Sequence, residues 1–595
     1  MKSIIFFQVN FPIGFGHFQT HWLPYAVARL WSYAKTHPEI EKNYIAKDFI
    51  FERLPIESFV DNLENVDVAA FSSYIWNENY NLAVAKKIKE KFPKCKIVFG
   101  GPQVPDNSKN YIIEHPFIDH LFHGESEYNF ADFLLGNNTD KDIRGNRIED
   151  LDTIVSPFLD GVMDSIVEKH PNKNFSVTLE TNRGCPYACT FCDWGSLTYS
   201  KVKKFDTEIV KKEIEWISKN GIKFVDVADA NFGIFKERDF EILRHMIRYK
   251  KKYKYPETYS FNWQKNSTEK TLEMVKYLTN NNSARGMTLS VQSMSENVLE
   301  NIKRKNMEVS NYEKILQECN VKNIQTYTEL ILGLPGETYE SWVSGIDKLL
   351  TTGQHNNIEV WLCQMLVNAE LSSTESKKEH GIETANIKNY ISGDTEDLEG
   401  IEIIKSTNTL TYKELLDCYM YSWMITNYHS FGWTQIISRW LHNTQGISYR
   451  EFYDKLFEAV KDTSFYYEVK INIHKAFESG LIQEKGMHYY IAEFQKKLHQ
   501  SRNKTLRFVK EFALKNYSVP EDVFTFTEYF VTDYGNQKDR TKTFNTPVWS
   551  IINNIDHTYK YRFKITQRVN TENEYYDSFY FRRRKGWGKC IVTSL

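Results

Sequence analysis

Apolar and polar positions follow two different rhythms along the first 136 residues. Residues 3–11, 66–74, 96–100 and 118–122 are nearly continuous apolar runs, the pattern of strands buried on both faces. Between them, residues 23–36, 78–92 and 127–135 carry apolar side chains at helical spacing. Strands alternating with single helices predict an α/β, Rossmann-like parallel sheet over residues 1–136, with ligands at the carboxyl ends of the strands. The loops expected there hold Ser72, Tyr74, Trp76 and Asn77, then Gly100, Gly101, Pro102 and Gln103, then Gly124, Glu125 and Glu127.

Residues 137–172 are polar and irregular and read as a linker. The alternation then resumes. Strands are expected at 176–180, 224–228, 259–263, 287–291, 326–332 and 358–363. One helix between them opens near Asp206 and stops at Gly221; another opens near Ser267 and Thr268. Six strand–helix repeats are too few for a closed eight-stranded barrel and fit a partial (βα)6 TIM barrel over 173–366, with chemistry at the carboxyl ends of its strands. Residues 367–595 change character. They predict a mainly helical C-terminal region with some β: helices at 411–428, 449–460 and 506–515, and β-prone residues around 523–531.

The 595 residues exceed what one core supports and imply three or four domains. A net charge of −2 provides no basic field, which argues against a nucleic-acid partner. No run reaches membrane-spanning length and the N-terminus does not read as a signal peptide, so a cytoplasmic protein is expected. Eight cysteines form no disulfide framework. Three of them, Cys185, Cys189 and Cys192, crowd together directly after the first strand of the second α/β region.

Thiolates are the usual iron–sulfur ligands. Three of them bind three irons of a cubane and leave one iron open, and an open metal position marks chemistry rather than structure. The rival is a zinc site with Asp193 as a poor fourth ligand. The CxxxCxxC spacing, with the aromatic Phe191 before the last cysteine, resembles the radical S-adenosylmethionine (SAM) superfamily motif. The resemblance implies that Cys185, Cys189 and Cys192 hold a [4Fe–4S] cluster, that its open iron chelates SAM, and that reductive cleavage yields a 5′-deoxyadenosyl radical. Three supporting stretches follow in the superfamily's order. Asp229 and Asn231 lie where SAM's amino group is contacted, although the local sequence departs from the usual Gly-Gly-Glu. Ser290 and Gln292 alternate onto one strand face in the place of ribose and carboxylate contacts. Glu329, Gly333 and Leu334 occupy the region used for adenine.

The first domain followed by this barrel resembles the cobalamin-dependent radical SAM class. By that resemblance the three N-terminal loops face a corrin, and Gly100 and Gly101 permit close packing against it. The Asp-x-His-x-x-Gly motif that often supplies cobalt's lower ligand is missing from the loop after the first strand, which carries only His17 and His21. A cobalt without a histidine lower ligand is therefore expected.

In the C-terminal third, Trp423, His429, Trp433 and Trp440 read as buried core rather than a substrate box. The basic run from Arg582 to Lys585 reads as a solvated edge or an anion contact. By family architecture this third should cap the barrel mouth. The expected activity is C-methylation of an unactivated carbon on a small-molecule or peptide substrate, with an external electron donor of flavodoxin or ferredoxin type. A cyclase or ring-rearranging enzyme of the same class and a non-catalytic cofactor-binding sensor are the alternatives. No residue is identifiable as a substrate acid or base.

Overall fold

A computed structural model describes the whole chain except residues 16–17, 195–199, 267–268, 284–285, 322–323, 390–398, 462, 483–487, 532–539, 555–559, 565–590 and 595. His17, the Ser267–Thr268 helix start and the basic run at 582–585 lie outside the described residues.

The N-terminal region contributes β1 (Lys2–Asn10), β2 (Ile13–Phe15), β3 (Phe18–Trp22), β4 (Tyr44–Glu52), β5 (Val68–Ser72), β6 (Lys96–Gly100), β7 (His120–His123) and β8 (Asp142–Arg144). Six of these form an all-parallel sheet in the order β4-β1-β5-β6-β7-β8. Along β1, Ile4 and Phe6 enter one apolar layer while Ile5 and Phe7 enter the other. Each such fully buried side chain contributes about 1.5–3 kcal/mol, which explains the unbroken apolar runs. The strand order reverses between β1 and β5, so a crevice opens at their carboxyl ends.

The second region contributes β9 (Asn174–Leu179), β10 (Asn182–Arg183), β11 (Lys203–Lys204), β12 (Phe224–Phe232), β13 (Thr258–Trp263), β14 (Met287–Thr288), β15 (Thr326–Leu332) and β16 (Asn357–Leu362). Strands β9, β12 and β13 pair in parallel, as do β14, β15 and β16. These are the six strands expected of the partial barrel. Its β9 edge is covered from the first region: β3 pairs in parallel with β9, Thr20 against Asn174 and Trp22 against Ser176. The loop after β1 is therefore the β2–β3 hairpin rather than a free loop.

Residues 137–172, expected as a linker, add β8 to the first sheet and the helix Val162–Lys169, whose Val162, Met163 and Ile166 are buried. Their apolar residues are spaced one turn apart among polar ones, so composition alone hides them.

Strands β17 (Glu383–Asn389), β18 (Glu399–Ser406) and β19 (Leu481–Ile482) form a small sheet. Ile404 of β18 lies against Gly333 at the barrel mouth, and Met365 N–H donates to the Glu402 carbonyl at 2.8 Å. Helix Tyr412–Met424 opens with a Thr411/Glu414 capping box and runs into a π-helical turn, Ile425–Ser430. Thr426 Oγ1 of that turn donates to the Ile358 carbonyl on β16 at 3.3 Å, so the C-terminal helices cover the barrel's other edge. Trp423, His429, Trp433 and Trp440 are all buried. The β-prone run at 523–531 is instead mostly helix, Glu521–Phe530. Val523, Phe526, Thr527 and Phe530 are buried at one-turn spacing, Pro520 precedes the helix, and Glu521 and Asp522 occupy its first turn, so packing overrides β propensity. No helix among the described residues is long and apolar enough to cross a membrane.

Candidate active site

The cysteine loop leaves the carboxyl end of β9 and is anchored by Asp229 on β12. The Asp229 carboxylate accepts from Thr181 N–H at 2.7 Å, Asn182 N–H at 3.0 Å, Asn182 Nδ2 at 2.7 Å and the Thr181 hydroxyl. It is fully buried, and burial pushes it up to about 7 despite these donors. Asp229 thus holds the root of the loop. Gly184 follows at φ +116°; a Cβ there would meet the Lys201 carbonyl at 2.7 Å, so the crossing requires glycine.

Cys185 and Cys189 are buried, Cys192 is half-buried, and none of the three is in a disulfide. Asn231 Nδ2 donates to Cys185 Sγ at 3.3 Å and Lys265 Nζ to Cys189 Sγ at 3.2 Å. Burial pushes the Cys192 thiol up to about 11; Cys189 and Cys185 push the same way and Lys265 opposes them. Arg304 stands against Cys189 and donates to the Ser290 carbonyl, while burial lowers its pKa. Its Nη1 is buried without a hydrogen-bond partner among the described residues.

Across the barrel mouth, the Ser290 hydroxyl donates to Glu329 on β15. Gln292 sits at φ +65°, a left-handed conformation that non-glycine residues rarely adopt. Two bonds hold it there: its N–H donates to the Glu329 carbonyl at 2.9 Å, and its carbonyl accepts from Ile331 N–H at 2.8 Å. Gly333 turns at φ +100°. Leu334 is fully buried in a small apolar cluster against which Phe191 packs.

On the first sheet the loop groups bond mostly to one another. Buried Asn77 donates to the Val9 and Ser72 carbonyls at 2.8 and 3.1 Å and accepts from Tyr74 N–H at 2.7 Å. Gly101, at φ +103°, lies so close to Ser73 that a Cβ would meet its carbonyl at 2.6 Å. The Ser73 hydroxyl donates to Glu78, a carboxyl that burial pushes up to about 7. The rings of Tyr74 and Trp76 stack at 4.5 Å and 9°. Arg53 holds the Trp76 carbonyl at 2.9 Å and pairs with Glu399 of β18, which also accepts from Asn79 N–H at the start of helix Glu78–Lys91. Asn368 ties down the Pro102 carbonyl at 3.1 Å. Gly124 turns at φ +73°, and Gln103 N–H donates to the Ser73 carbonyl at 3.2 Å. Glu125 and Glu127 pair with Arg183 of β10. His21 lies on β3, 3.4 Å from Glu52, and burial lowers its pKa.

Residues 179–349 match the Radical SAM superfamily model. The chain is 34% identical over 458 residues to the cobalamin-dependent radical SAM methyltransferase TokK of Streptomyces tokunonensis, covering 73% of this chain and 67% of that protein. It belongs to the cobalamin-dependent radical SAM methyltransferases. A second relative, the 2-(S-pantetheinyl)-carbapenam-3-carboxylate methyltransferase of Streptantibioticus cattleyicolor, matches at the same identity and coverage. The fold is shared with two solved structures of cobalamin-dependent or radical SAM enzymes. OxsB aligns with TM-score 0.53 and 14% identity over 89% of this chain and 83% of its own. TsrM from Kitasatospora setae aligns with TM-score 0.50 and 12% identity over 71% of this chain and 89% of its own.

As a member of this family the chain is an enzyme that uses a [4Fe–4S] cluster, SAM and cobalamin. The residues present fit these groups. The three thiols lie on one loop with the cations Lys265 and Arg304 beside them, and burial raises the Cys192 thiol, a cost that thiolate–metal bonding would relieve. Arg304, set against Cys189, keeps a buried Nη1 without an acceptor among the described residues, a donor that an anionic ligand would satisfy. The strand-order reversal between β1 and β5 is where a parallel sheet of this kind binds its ligand. Sequence reasoning missed Lys265, Arg304, Arg183, Arg53 and Glu399. Each acts on a partner distant in sequence, and none sits in a recognisable local motif.

Proposed function

We propose that this enzyme moves a methyl group from methylcobalamin to an unactivated carbon of a small carboxylated substrate of the carbapenam type, the class named for its second relative. The observation that carries the reading is 34% identity to two methyltransferases over 73% of a chain that joins a parallel sheet with a strand-order reversal to a barrel bearing the cysteine triplet. When bound, SAM and the cluster supply a 5′-deoxyadenosyl radical and cobalamin supplies the methyl group.

The chain's own residues then have distinct duties. Cys185, Cys189 and Cys192 hold the cluster, and Lys265 and Arg304 offset the negative charge gathered there. Asn231, Ser290, Gln292 and Glu329 present polar atoms to SAM's amino acid and ribose. Asp229 contributes by fixing the loop that carries the cysteines. Gly333, Leu334 and Phe191 form the apolar floor for adenine. Ser72, Tyr74, Trp76, Gly100, Gly101, Pro102, Gln103 and Gly124 offer the corrin aromatic faces, small residues and backbone groups; Asn77 sets their shape. Glu125 and Glu127 support that surface from behind. A flavodoxin- or ferredoxin-type donor in a reducing cytoplasm supplies electrons.

The test is anaerobic turnover of cobalamin-loaded enzyme with 2-(S-pantetheinyl)-carbapenam-3-carboxylate and SAM bearing a trideuterated methyl group. The expected product carries the labelled methyl in place of a hydrogen. Formation of 5′-deoxyadenosine with an unlabelled, rearranged product identifies a cyclase. Neither product, with both cofactors bound, identifies a sensor.

A further inference from the structure

Arg183 lies two residues before Cys185, and its side chain joins Glu180 of its own region to Glu125 and Glu127 of the first. Nη2 is 2.8 Å from Glu127 and 2.9 Å from Glu180, and Nη1 is 3.6 Å from Glu125. Its Nε reaches both Glu180 oxygens at 3.2 Å. The arginine side chain is 9% exposed and those of Glu125 and Glu127 are 5% and 6% exposed. Glu125 is tied in turn by Ile148 N–H at 2.6 Å, and Arg147 donates to the Arg183 carbonyl at 2.9 Å. Glu180 also accepts from Tyr25 at 3.1 Å. The clamp thus joins the loop after β7, on the corrin side, to the strand that delivers the first cluster ligand.

Buried ion pairs are weak stabilisers compared with apolar packing, and their best-attested use is to fix register. A planar guanidinium held in three directions resists sliding, which a lysine's single point charge does not. We propose that Arg183 is a positioning residue that sets the separation and orientation of the cobalamin site relative to the cluster site. This rests on the family's two cofactors being bound at those sites. Radical and methyl donor must address the same substrate carbon, so their spacing cannot drift.

The test uses Arg183→Lys and the triple variant Arg183→Met/Glu125→Gln/Glu127→Gln, which removes two of the buried carboxylates that loss of the arginine alone would strand. Each is reconstituted with the cluster and cob(II)alamin and reduced, and the electron–electron coupling between cobalt and the reduced cluster is read by pulsed electron paramagnetic resonance. The wild type is expected to give one resolved coupling. Both variants are expected to keep iron, cobalt and the corrinoid spectrum while losing the single coupling to a broad distribution. An unchanged coupling in the triple variant overturns the proposal. So does loss of either cofactor from both variants, because Arg183 would then hold only the fold. A wild type that binds no corrinoid or no cluster fails the underlying reading instead and is recognised before any variant is made.

Discussion

The two α/β regions end their strands in opposite ways. At the barrel mouth, polar groups face sulfur or one another and leave capacity over: among the described residues Arg304 Nη1 is buried with no hydrogen-bond acceptor, and Gln292 is held left-handed by two backbone bonds. On the first sheet the polar groups are largely consumed internally. Asn77 bonds Ser72 and Tyr74 of its own loop and Val9 of β1, Ser73 bonds Glu78, and Glu125 and Glu127 close on Arg183. What remains outward there is rings, small residues and peptide groups. A compact zwitterionic ligand is recognised by directed charges, whereas a broad flat one is recognised by shape, and the loops divide along that line.

This contrast breaks most sharply at Cys189. Cys189→Ala should abolish iron and acid-labile sulfide after reconstitution, as read by metal analysis, while shifting the melting temperature of the apoprotein by no more than about 2 °C. Asn77→Ala should do the reverse. It should lower stability by about 2–4 kcal/mol in denaturant titration, because Tyr74 N–H loses its acceptor and the loop its shape, and corrinoid retention should fall in parallel. A variant that loses corrinoid without losing stability would show that Asn77 contacts the ligand directly. At the barrel mouth, Gln292→Gly relieves the left-handed backbone and Gln292→Ala does not. Both should weaken SAM binding about tenfold by calorimetry if the side chain matters, with the glycine variant the more stable by about 1 kcal/mol. Recovery of SAM affinity by glycine would reduce Gln292 to a backbone role.

The smallest effect concerns pH. Burial pushes Glu213 up to about 7 from its ordinary 4.5, with Arg29 3.6 Å away opposing the shift. Its folded-state affinity for a proton exceeds the unfolded one, so stability is greatest below pH 4.5 for this group and declines as pH rises towards 7. Glu213→Gln should flatten that decline by an amount on the order of 1 kcal/mol, measured as melting temperature against pH.

Legibility in the sequence followed locality. The cysteine triplet was plain because its ligands share one loop. The buried strands β1, β5, β6 and β7 were plain because both faces need apolar residues. Strand β4 escaped notice because several of its positions are exposed and break the apolar run. The loop residues Asn77, Glu125 and Glu127 stood out by position, but their partners did not. Arg183 lies far along the chain from both glutamates, and no spacing rule links them. The helix Glu521–Phe530 was obscured because its phenylalanines and threonines favour strands in isolation, and only its one-turn burial pattern distinguishes it.

Strand β3 ties manufacture of the protein to its architecture. Its neighbour begins at residue 174, so about 150 residues must leave the ribosome before Thr20 finds Asn174. At ordinary synthesis rates that is roughly 8–30 s with an unsatisfied edge on the nascent chain. The two modules therefore cannot be exchanged by simple gene fusion at residue 136: a transplanted barrel would arrive without the strand that seals its open side.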